Sequence, residues 1–192
     1  MGCNDTTPSV QKLIIVTGQT ASGKSTFASF LHESGFSVCE FSQFFDHVLG
    51  PCSTSASDRL QRVIEYIASI GRPAYIDQLL AWTAGKSLAH DERPLVLVGA
   101  RHPRDIDLLR HHACVVEVIG ITSAQDRRIQ RTVLRDRASD LHPERFALPD
   151  PQVEDCLARY ATIRICNDGS LEDLASSARK LALRFPTQAQ DK

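Results

Sequence analysis

The chain is predicted to fold as a three-layer α/β domain, a five-stranded parallel sheet with helices on both faces. Three observations predict it. Short apolar runs alternate with helical patterns, a glycine-rich loop joins the first apolar run to the first helix, and 192 residues suffice for one covered sheet without a second domain. Strands buried on both faces read as continuous apolar runs, and helical connections make such strands parallel.

The first strand is Leu13 to Thr17, and the helix that follows the loop runs past Leu31 to a stop at Gly35. The second strand is Ser37 to Phe41. Gly50 to Ser57 is turn-forming without periodicity, so a mobile loop is expected at about 50–57. Leu60, Val63, Ile64, Ile67 and Ile70 recur at helical spacing up to Gly71, and Pro73 opens another helix, where its missing N–H does no harm. Leu95 to Gly99, Val115 to Ile119 and Ile163 to Cys166 complete the strands. Ser170-Leu171-Glu172-Asp173 starts the last helix in the manner of a capping box, and the tail after Phe185 frays. The whole chain, 1–192, is one domain with a core over about 11–185.

The loop Gly18-Gln19-Thr20-Ala21-Ser22-Gly23-Lys24-Ser25 fits the phosphate-loop spacing. Glycines there let consecutive backbone N–H groups, with those of Ala21, Ser22 and Thr26 among them, face anionic oxygens at a helix start. Lys24 reaches the β- and γ-phosphates of a nucleotide, and the Ser25 hydroxyl is placed as a ligand to Mg²⁺. Ligands of parallel sheets bind beyond the carboxyl ends of the strands, so other site residues are sought after each strand.

After the fourth strand come Arg127, Arg128, Arg131, Arg135 and Arg137, of which Arg128, Arg131 and Arg135 share one helical face. A solvated helix paired with Asp126 and Asp136 accounts for them; so does a clamp on transferring phosphoryl groups. Asn167 to Ser170 reads as a turn with an N-cap. His102 stands at a helix start before Pro103.

With these motifs the chain resembles P-loop kinases of the nucleoside-monophosphate-kinase type, dephospho-CoA kinase and its archaeal relatives in particular, over nearly its whole length. The resemblance implies the three-layer P-loop NTPase fold, ATP with Mg²⁺, and an Arg-rich lid, here about 135–152, closing over the phosphates. It implies that Arg128, Arg131 and Arg135 contact phosphates or base, that Asn167 and Gly169 flank the adenine, and that Arg101, in "LVLVGARHPRDIDLLR", faces the reacting groups. Two acids of that family pattern are absent: Val98 and Gln43 stand in their places. Asp46, one turn beyond Ser42 on the same helix face, is the expected substitute base, with Glu40 and Asp77 behind it.

The expected activity is transfer of the γ-phosphoryl of ATP to a small nucleoside- or nucleotide-like acceptor. An ATP-binding protein without phosphotransfer is the alternative, and a kinase acting on a nucleic-acid hydroxyl is a third. Twenty-two basic against 23 acidic residues, net charge −1, count against nucleic acid. Six cysteines without a C-x-x-C pair argue against zinc and disulfides, and no apolar run suits a membrane, so the expected location is the cytoplasm.

Overall fold

The computed structural model describes residues 12–50, 56–86, 93–135 and 149–186, with the backbone alone for 56, 57 and 135. Strands β1 (Lys12–Gly18), β2 (Val38–Glu40), β3 (Leu95–Val98), β4 (Cys114–Thr122) and β5 (Ile163–Cys166) form one sheet in the order β2-β3-β1-β4-β5. Every pairing is parallel. Among the described residues the helices are α1 (Lys24–Glu33), α2 (Phe41–Leu49), α3 (Ala56–Ile70), α4 (Arg72–Ala84), α5 (Pro103–His112), α6 (Gln125–Arg135), α7 (Pro151–Tyr160) and α8 (Leu171–Ala182).

The period-2 alternation of strand side chains divides the core between the two faces. Leu13, Ile15, Leu95, Leu97 and Val118 join Phe44, Tyr75, Leu79, Ile106 and Cys156 from α2, α4, α5 and α7. Ile14, Val16, Val96, Val98, Ile119 and Ile121 join Phe27, Leu31, Leu174 and Ala178 from α1 and α8. Each fully buried side chain of this size contributes about 1.5–3 kcal/mol of transfer free energy. Because α1 and α5 lie on opposite faces, the loops after β1 and β3 part from each other, and the crevice of a parallel sheet opens there.

β1 and β3 differ from expectation by single residues at their ends, and three other boundaries differ for a visible reason. β2 ends at Glu40 because Gln43 accepts the Glu40 N–H through its side chain (3.2 Å), which starts α2 at Phe41. β4 runs from Cys114 to Thr122, and a register shift between Leu13 and Ile14 leaves Val116 without a partner on β1. The helix built on Leu60 to Ile70 begins at Ala56, so only residues 51–55 of the expected mobile loop lie outside the description. Its apolar face is covered only in part: Ile67 and Ile70 pack on the core, whereas Leu60 and Ile64 are 56% and 52% exposed. Residues 136–148 of the expected lid, with Arg137, and the side chain of Arg135 also lie outside the described residues.

Candidate active site

The phosphate loop leaves the central strand β1 and ends on the first turn of α1. Gly18 and Gly23 are required by contact as well as by backbone angle. A Cβ on Gly18 (φ +152) would stand 2.2 Å from the Ile121 carbonyl oxygen, and one on Gly23 (φ +100) 2.1 Å from Asn167 Nδ2. Ala21 takes a left-handed conformation (φ 58) that L side chains seldom adopt. A loop held this way is fixed by its surroundings rather than by its own preference.

Several of its residues, and Thr17 before it, are held by other elements. The Thr17 hydroxyl donates to the Ala100 carbonyl (2.6 Å) and Arg101 Nη2 to the Thr20 hydroxyl (3.3 Å). Arg131 donates through Nη1 to the Ala21 carbonyl (3.4 Å) and the Ser123 hydroxyl (3.1 Å), and through Nη2 to the Asn167 carbonyl (2.7 Å). Asn167 Nδ2 donates to the Ser22 carbonyl (2.8 Å). Lys24 Nζ lies on the Gln19 carbonyl (2.8 Å), folded back along the loop it serves. Ser25 and Thr26 are exposed on the first turn of α1, where partial positive charge accumulates.

Of the described arginine side chains of α6, Arg127 is solvated and exposed, whereas Arg128 and Arg131 are not. Arg131 is half-buried in the bonds just given. Arg128 is 4% exposed, and neither its Nε nor its Nη1 has a partner among the described residues. Burial pulls its pKa down, opposed by the charge of Glu154. A buried guanidinium whose donors lack described partners is costly to leave so.

Asn167 to Ser170 forms the expected turn and N-cap. Ser170 and Asp173 form the capping box of α8, and Asp168 accepts from the Ala124 N–H and the Ser123 hydroxyl (2.8 Å each) at the start of α6. Those bonds, that to Ala124 foremost, hold the Asp168 carboxyl below its usual range. Gly169 is constrained by the same cap, since a Cβ there would lie 2.6 Å from Asp173 Oδ2.

The candidate bases separate. Glu40 ends β2 beside Val98 of β3, at the carboxyl edge of the sheet, and its Oε2 accepts from the Ser42 hydroxyl (3.0 Å). Asp46 is engaged instead by Arg59 (2.6 Å), whose Nη2 also donates to the Ser42 carbonyl. Asp77 pairs with His112 (3.4 Å), the last residue of α5. That helix runs from the carboxyl to the amino edge of the sheet, so Asp77 stands at the far edge from the phosphate loop. Val98 is 2% exposed within the apolar cluster, where a carboxylate would lose its hydration. His102 caps α5, its Nδ1 accepting the Arg104 N–H (3.1 Å), while burial and then the Arg72 charge lower its pKa.

Sequence reasoning passed over Gln19, the ion pair of Arg72 with buried Asp105, and Glu154. Glutamine in the loop's variable stretch and acids in unpatterned helices carry no local signal. Among the described residues no group of His, Cys, Asp and Glu could hold a metal by itself, and no helix is long and apolar enough to cross a membrane. Mg²⁺ keeps several waters and is held largely by substrate phosphates, and the exposed Ser25 hydroxyl is a hard oxygen of the kind a phosphate loop offers it.

The chain superposes on a tunicamycin resistance protein from Deinococcus radiodurans with TM-score 0.57 at 15% identity, covering 93% of this chain and 97% of that one. A shikimate kinase from Acinetobacter baumannii in complex with shikimate gives TM-score 0.55 at 17% identity over 92% and 94% of the two chains. One from Bacteroides thetaiotaomicron gives 0.54 at 13% over 92% and 98%. The fold is that of the P-loop kinases. At these identities the likeness is one of fold. No family model matches the sequence, and no curated protein does.

Proposed function

We propose that this P-loop-kinase-fold chain is an ATP-dependent phosphotransferase that moves the γ-phosphoryl group to the hydroxyl of a small, nucleoside- or nucleotide-like acceptor. The observation that carries the reading is the convergence of three cations on one loop. Lys24 lies on Gln19, Arg101 on Thr20 and Arg131 on Ala21, all at the N-terminus of α1. Phosphoryl transfer asks little covalent chemistry of the protein; it needs positioned positive charge around the migrating group.

In this reading Gly18 to Thr26 hold the ATP phosphates through backbone N–H groups, and Ser25 ligates Mg²⁺, which neutralises phosphate charge when bound. Lys24, Arg131 and Arg135 stabilise the transferring group, Arg101 orients it against the acceptor, and Arg128, Asn167 and Gly169 border the nucleotide. Glu40 takes the acceptor's hydroxyl proton. It is a carboxylate at the strand end that accepts from the Ser42 hydroxyl and the Gln43 N–H and has no ion pair among the described residues, whereas Asp46 neutralises Arg59. The site works in a single domain, with the lid at about 135–152, in the cytoplasm and without nucleic acid.

Apolar Val98 at the end of β3 favours a second reading, an ATP-binding protein that transfers nothing. Titration with ATP and Mg²⁺, followed by phosphate transfer from labelled ATP to a panel of nucleosides, nucleotides, shikimate and pantetheine-type acceptors, tests both. Transfer to one acceptor supports the kinase; tight ATP binding without transfer to any supports the second reading.

A further inference from the structure

We propose that Gln19 is a positioning residue that couples occupation of the phosphate loop by a triphosphate to the start of α7. The inference rests on the nucleotide-binding reading above. Gln19 holds a variable position of the motif, where phosphate chemistry asks for no amide. Yet it is 5% exposed, and both ends of its side chain are used. Oε1 accepts the Asp150 N–H (2.9 Å), while Nε2 donates to the Asp150 carbonyl (3.1 Å) and to Glu154 Oε1 (2.6 Å). Asp150 is the N-cap of α7, and its carboxylate accepts from the Gln152 N–H (2.9 Å). The amide therefore grips the first turn of that helix at three points.

The backbone of the same residue grips the phosphate-binding ammonium. The Gln19 carbonyl accepts from Lys24 Nζ (2.8 Å) and from the Ser22 N–H (3.1 Å). When Lys24 turns to the β- and γ-phosphates, that carbonyl loses its charge-assisted bond and keeps only the Ser22 N–H, so its peptide is held less firmly. A side chain bonded at both ends carries the shift to Asp150 and Glu154. Beyond Glu154 lies the charge of Arg128, whose buried Nε and Nη1 have no partner among the described residues, so a displaced Glu154 carboxylate has a cation to meet. A monophosphate does not reach Lys24 in this way, so AMP leaves the coupling untouched. Linkage is reciprocal: holding α7 in place also biases Lys24 between its two positions.

Calorimetric titration with ATP and with AMP, on the wild type, Gln19→Leu, Gln19→Glu, Glu154→Gln and the double Gln19→Glu/Glu154→Gln, tests the coupling. Gln19→Leu should weaken ATP about tenfold and AMP by less than about twofold. In the double variant the amide and the carboxylate exchange places and a hydrogen bond between positions 19 and 154 can form again, while the Asp150 carbonyl stays without its donor, so ATP affinity should recover in part, by about threefold over Gln19→Glu alone. Hydrogen exchange across Pro151–Tyr160 should change on adding ATP, not AMP, to the wild type, and not change in Gln19→Leu. An unaltered ATP-to-AMP affinity ratio in Gln19→Leu, or no recovery in the double variant, overturns the proposal. If Gln19→Leu does not fold, Gln19→Glu carries the same expectation against its own double variant. A wild type that binds no ATP defeats the nucleotide reading itself; one that binds it with the ratio unmoved by Gln19→Leu defeats only the coupling.

Discussion

Asn167, at the end of the edge strand β5, donates its side-chain amide to the carbonyl of Ser22 (2.8 Å) across 145 residues of chain, through the space that Gly23 leaves empty. A loop from the central strand and one from the sheet edge thereby become one rigid unit. Asn167→Ala removes the donor and leaves a buried carbonyl unsatisfied, at about 1–3 kcal/mol. Gly23→Ala should cost more, since it adds a clash and a strained φ. Denaturant unfolding of both variants should rank them in that order, and weaker ATP binding should accompany the loss of stability.

Lys24→Ala should separate binding from folding. The ammonium sits at a partly exposed loop and its removal opens no apolar cavity, so the melting temperature should hold within a few degrees while ATP binding falls strongly. Unchanged ATP affinity would remove the phosphate-loop assignment.

Arg131→Ala should affect both properties, because its guanidinium joins Ala21, Ser123 and Asn167. Loss of these charge-assisted bonds should destabilise the fold by about 1.5–3 kcal/mol. In the working enzyme kcat should fall more than KM for ATP rises, as expected of a group acting mainly on the transition state. Arg131→Lys should restore part of the charge but little of the three-way geometry.

Glu40→Gln and Asp46→Asn form a matched pair. Loss of the proton acceptor lowers kcat by about 10²–10⁴, so Glu40→Gln should fall into that range with ATP affinity unchanged. Asp46→Asn removes an exposed ion pair with Arg59, a change of about 0–1 kcal/mol in stability and little in kcat. Steady-state kinetics of both variants with the same acceptor decides it; the reverse order would return the role to Asp46.

His102 gives a pH signature. Its folded pKa is lowered by burial and by Arg72, so the folded state binds that proton less readily than the unfolded chain does. Its contribution to stability is full above the unfolded value, about 6.5, and is lost as pH falls through the lower folded value, when the ring nitrogen that caps α5 takes a proton. His102→Asn keeps an N-cap acceptor and cannot titrate. Melting curves between pH 7.5 and 5, both order-of-magnitude bounds set around that value, should show a smaller fall for the variant than for the wild type.

Periodicity and motif spacing determined the sheet, its parallel sense and the strand-to-helix loop, because each rests on interactions local in sequence. Leu13 to Val16 reads as doubly buried in any context, and Gly18 to Ser25 matches the phosphate-loop spacing in sequence, although neighbouring elements hold its conformation. The capping box at Ser170 is equally local. Only tertiary structure could sort the acids, since Glu40, Asp46 and Asp77 look alike along the chain. Their fates follow from strand order and helix direction: Glu40 ends a strand, Asp46 meets Arg59 of the next helix, and Asp77 meets His112 at the opposite edge. Gln19 was illegible for the same reason. Its amide has meaning only once folding brings Asp150 and Glu154 to it, and no local pattern encodes a hydrogen bond closed across 131 and 135 residues.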